Sequence, residues 1–89
     1  MTTPDPASQL TTLEALAAYL AAAFESGDAA VLTDAFAVAA RAEATTHLAA
    51  AAGLPQLELR HAFATGEMSM GTTLAIMKVI DLHIPGAAH

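Results

Sequence analysis

Gln56, Arg60 and His61 share the outward face of one short amphipathic stretch, QLELRHAF, and carry hydrogen-bonding groups suited to nucleobase edges. A glutamine amide pairs with N6 and N7 of adenine at once, and a guanidinium with O6 and N7 of guanine. Leu57, on the same face, has three readings: contact with a thymine methyl, part of a protein interface, or buried filler. Upstream, Thr46 and His47 stand near the start of another helical stretch, where a phosphate would also meet the positive end of the helix. The bland alternative is a solvated helix face on which Glu58 pairs loosely with Arg60 or His61.

Other chemistry finds little to work with. Histidines stand at 47, 61, 83 and 89, but no pair has the i, i+4 spacing of a helical zinc site, and cysteine is absent. They read as surface histidines, and no metal or cofactor is implied. No carboxylate pair, Ser/His/Asp set or phosphate-cradling glycine loop assembles, so an enzyme is not expected. Met68, Met70 and Met77 read as loop cover and core, since the flexible thioether fills irregular gaps.

Charge works against nucleic acid. Only Arg41, Arg60 and Lys78 are cationic against nine acids, a net charge of −6. Such a chain repels phosphate backbones at long range. Of the 89 residues 24 are alanine, so the 55% hydrophobic content holds less apolar volume than it suggests. No apolar run approaches the length of a membrane span. The N-terminus MTTPDPASQ lacks the basic and apolar regions of a secretory signal. Together with the missing cysteines, this makes the cytoplasm the expected location.

The elements that must position these residues are helical. Residues 1–10 read as a flexible arm, 11–84 as the folded domain and 85–89 as a flexible tail. Thr11 and Glu14 have the spacing of a capping box, and Leu13, Leu16, Ala17, Leu20 and Phe24 then share a face. Ser26-Gly27-Asp28 reads as a stop followed by a new N-cap. A second helix over about 29–42 points Val31, Leu32, Ala35, Phe36 and Ala39 inward. Thr45 or Thr46 caps a third, which ends at Gly53 because a tight reversal there demands φ > 0. Pro55 suits the first turn of a fourth helix, ending near Ala64. The fifth runs from about Thr72 to Leu82, before His83-Ile84-Pro85-Gly86. The expected fold is all-α, with five short helices.

Leu48 and Ala49 precede Gly53, while Leu54, Leu59, Ala62 and Phe63 follow it. This is the pattern of two helices crossing steeply at a small residue, with the second packed on the domain by its apolar face. From Thr45 to Gly66 it resembles the λ-repressor/Cro type of helix-turn-helix. Over roughly residues 13–84, the segments LEALAAYLAAAFESGDAAVLTDAFAVAARA, TTHLAAAAGLPQLELRHAF and TTLAIMKVIDL are similar to the probable addiction module antidote proteins. Members of that family are small bacterial antitoxin-like regulators encoded beside RelE/HigB-type toxins. The resemblance implies a λ-repressor-like domain whose second helix lies in the major groove of operator DNA. Thr46, His47, Gln56, Leu57, Arg60 and His61 would then be the contact residues.

A single short recognition helix reads few base pairs, so useful specificity calls for a homodimer on two half-sites. Its expected seam is the last helix, near Ile76, Val79 and Ile84. The alternative is a protein-interaction module that keeps the helix-turn-helix but does not bind DNA. The alanine-rich stretch at 49–52 and the net negative charge favour that reading, with a basic toxin as electrostatic partner.

Overall fold

The computed structural model describes residues 6–83 and contains, among them, six helices and no strand. In chain order they are α1 (Pro6–Gln9), α2 (Leu13–Glu25), α3 (Ala29–Arg41), α4 (Thr45–Ala52), α5 (Gln56–Thr65) and α6 (Met70–His83). The all-α expectation holds, with one helix more than the five expected. The extra one, α1, lies in the stretch read as an arm. Ala7 and Leu10 are buried there, and the Leu10 carbonyl accepts a hydrogen bond from the Ala44 N–H at 3.1 Å. That bond satisfies a backbone donor at the head of α4, whose capping residue, Ala44, has no side chain able to do so.

The helix ends follow local chemistry. Thr12, one residue later than expected, caps α2: its hydroxyl accepts from the Ala15 N–H at 3.1 Å. Gly27 takes φ +65°, and the Asp28 carboxylate accepts from the Ala30 N–H at 2.8 Å to begin α3, as the sequence suggests. Thr45 does not cap α4 from outside. It lies in the first turn, fully buried, and its hydroxyl donates to the Ala39 carbonyl of α3. Ser69 caps α6 by accepting from the Thr72 N–H at 3.1 Å.

Gly53 is the hinge point of the middle of the chain. It sits at φ +71°, ψ +30°, with its N–H directed to α4 carbonyls, while the Leu54 N–H reaches the Ala49 carbonyl at 2.9 Å. Nothing lies within 4 Å of where a Cβ would stand, so backbone conformation alone selects glycine. Gly53→Ala is therefore expected to cost about 1–2 kcal/mol, the left-handed penalty of an L-residue. Gly53→Asn should cost less. A urea melt in which Gly53→Ala loses nothing would show that this turn is not held left-handed in solution.

The core runs through every long helix. Leu16 and Leu20 of α2, Leu48 of α4, Leu59 and Phe63 of α5, and Ile76 and Ile80 of α6 are all at most 1% exposed. All three phenylalanines join it in one chain of rings. Phe36 of α3 meets Phe24 of α2 edge-on at 6.0 Å and Phe63 of α5 at 5.3 Å. These contacts fix the position of α5. Alanines at 35, 39, 42, 44 and 49 are buried between helices and let their backbones approach closely.

One inward assignment and two outward ones need correction. Val31, expected in the core, is 43% exposed, because it lies in the first turn of α3 where no other helix covers it. Ile76 and Val79, expected at a dimer seam, are buried inside this chain against the core. Ile84, the third seam residue, lies outside the described residues. Met68 does pack against the core, whereas Met70 is 78% exposed.

Candidate functional site

Helices α4 and α5 are joined by only Gly53, Leu54 and Pro55, and this geometry fits a helix-turn-helix. The extended Pro55 (φ −62°, ψ 130°) caps α5 rather than occupying its first turn, so the helix begins at Gln56. Leu59 and Phe63 point α5 into the core. That orientation leaves Gln56, Leu57, Glu58 and His61 exposed, with Arg60 at the margin. On α4, Leu48 and Ala49 face inward while Thr46, His47, Ala50 and Ala51 face solvent. Five of the six candidate residues thus lie on an open surface, and the sixth, Arg60, is half-buried.

Three of the six come together. The Thr46 hydroxyl oxygen accepts from Gln56 Nε2 at 2.9 Å and from Arg60 Nη2 at 3.2 Å. One threonine at the head of α4 thus holds two side chains of α5, and with them the angle between the helices. His47, Leu57 and His61 are exposed around this knot. Leu57, at 81% exposed, is not buried filler.

Arg60 has a further partner that the sequence did not reveal. Its Nη1 donates to the Ala40 carbonyl at 2.9 Å. Ala40 lies in the last turn of α3, where carbonyls lack helical partners and the helix end is partially negative. The guanidinium therefore bridges the C-terminal end of α3 and the N-terminal end of α4, sitting half-buried between them. A backbone carbonyl has no signature in the sequence, and the only clue was that Arg60 is the single Lys or Arg in α5. The loose pairing of Glu58 with Arg60 does not form. Residues two apart on a helix do not face each other, and the guanidinium points to α3 and α4 instead.

This arrangement sets what the face can do. Gln56 keeps its amide oxygen for an outside donor, and Leu57 offers an apolar contact. Arg60 spends two of its five N–H donors inside the fold, and its charge lies over a helix end. Glu43, just before α4, and Glu58, on α5, are exposed. The face thus carries little positive charge. Among the described residues, no three His, Asp or Glu side chains gather in a geometry that would hold a metal ion, and no helix is long and apolar enough to cross a membrane.

No curated protein and no solved structure matches the chain. The model of one protein family does match, over residues 1–87, and so takes in every helix described above. The chain belongs to the family of probable addiction module antidote proteins.

Proposed function

We propose that this chain is the antitoxin of a type II toxin–antitoxin pair, which binds its toxin directly and represses its own operon. The observation that carries the proposal is the family match over nearly the whole chain. The exposed face of Thr46, His47, Gln56, Leu57 and His61 supports operator binding, with α5 lying in the major groove and Thr46 and His47 near phosphates. A RelE/HigB-type toxin is the proposed partner, and a basic surface on it would complement a chain of charge −6. The chain acts by binding, in the cytoplasm, and performs no catalysis.

DNA binding requires a homodimer, and its seam cannot be the buried Ile76 and Val79. The opposite side of α6 takes their place, where Met70, Leu74 and Leu82 are 78%, 60% and 72% exposed. Sedimentation at tens of micromolar should give twice the chain mass; monomer alone would count heavily against operator binding.

A second reading is favoured by the engaged guanidinium of Arg60 and by the exposed Ala50 and Ala51. In it the chain binds toxin but not DNA. Co-purification with the product of the adjacent gene tests the shared part of both readings, and a gel shift on the upstream DNA separates them. If operator binding occurs, three cations per chain allow about two phosphate contacts per protomer, hence about four per dimer. The slope of log K against log salt should then be about −4. A slope near −8 would mean that this face is not the main contact.

A further inference from the structure

A shallow groove of about 260 Å³ runs between α2 and α3, lined by Tyr19, Ala22, Ala23, Val31, Asp34 and Ala35. It shares no residue with the α4–α5 face. Alanine makes it: Ala23 and Ala35 are buried and too short to fill the space between the two helices. Tyr19 forms one half-buried wall, and Val31 remains 43% exposed above the floor because nothing covers it. Asp34 is exposed at the rim, and no lysine, arginine or histidine lines the groove.

We infer that this groove receives an arginine or lysine side chain projecting from the basic toxin, an inference that rests on the antitoxin reading. Each part of the groove selects for that chemistry. The alanine floor and Val31 offer apolar surface to the methylene stem. The Tyr19 ring attracts a cation placed over its face. The Asp34 carboxylate accepts from an ammonium or, in two parallel bonds, from a guanidinium. A purely apolar occupant would leave Asp34 without a partner at the rim and gain nothing from it. An acidic occupant would meet both Asp34 and the net charge of −6. The same field draws a basic partner in from a distance.

The test titrates the purified product of the adjacent gene into the full chain by calorimetry. Asp34→Lys reverses the charge at the rim, and Ala22→Leu, at an exposed position, fills the groove; both leave the core untouched. Thermal melts confirm that each variant folds. Each is expected to weaken toxin binding at least tenfold, while Glu67→Gln, at an exposed position between α5 and α6, leaves it unchanged. Toxin binding that persists at full strength in both variants overturns the groove and leaves the antitoxin reading standing. Binding lost in Leu74→Glu but kept in Asp34→Lys and Ala22→Leu overturns it in favour of α6. A wild-type chain that fails to bind the toxin at all removes the antitoxin reading and the groove with it.

Discussion

Phe63→Ala is expected to lower stability by about 3–5 kcal/mol, the usual cost of emptying a buried aromatic site. Phe63 is 1% exposed, and its ring lies 5.3 Å from that of Phe36, which in turn meets Phe24. Deleting it removes the contact that holds α5 to α3 and leaves a void that backbone helices cannot close. A domain of this size has only about 4–13 kcal/mol in total, so the loss approaches the margin of folding. Each kcal/mol is worth about 4–8 °C here, and the melting temperature should fall by more than about 12 °C. Any binding that depends on the α4–α5 face should fail as the fold loosens. Leu57→Ala, on the same helix but 81% exposed, should change stability by less than about 0.5 kcal/mol. Thermal or urea unfolding of the two variants makes the comparison. Near-equal effects would mean that α5 is not packed as described.

That contrast shows which features of the sequence carried information. Leu59, Ala62 and Phe63 after a Gly-Leu-Pro break specified the inward face of α5, because large apolar residues at helical spacing leave one way to bury them. Gly53 and Asp28 marked boundaries through conformations and caps peculiar to their residue types. The alanine-rich segments said less. Alanine suits the inside and the outside of a helix equally, so the periodicity around Val31 was shallow; along α6, large apolar residues stand on both sides of the helix and mark no single inward face. Ile76 and Val79 are therefore read as seam residues although they are buried in the core, while the exposed large apolar side chains of α6 are Met70, Leu74 and Leu82. Thr45 offers a sharper lesson. Its type suggested a cap, but its hydroxyl turns inward to the Ala39 carbonyl of α3, a partner set by tertiary packing. The groove beside Tyr19 was invisible for a related reason, since a cavity is defined by what alanines fail to fill.

The candidate site was legible as a surface but not as a set of bonds, and Arg60 carries the difference. A guanidinium that reads guanine must be free to leave the protein, whereas this one ties Ala40 of α3 to Thr46 of α4 through bonds of 2.9 and 3.2 Å. Arg60→Ala is therefore expected to destabilise the fold by about 1.5–3 kcal/mol, the range for hydrogen bonds made by a charged group. Arg60→Lys should recover only part of this, because an ammonium cannot span two acceptors with the planar fork of arginine. The DNA readout distinguishes clasp from reader. If Arg60 reads a base, Arg60→Ala relaxes one position of the operator and costs about 1–3 kcal/mol only on the matching sequence. If it is a clasp, affinity falls on all sequences alike, in step with the loss of the α4–α5 angle, and Thr46→Val reproduces part of the effect. The clasp is the expected result. A variant that melts like the wild type yet loses discrimination at one base pair would return Arg60 to the recognition surface.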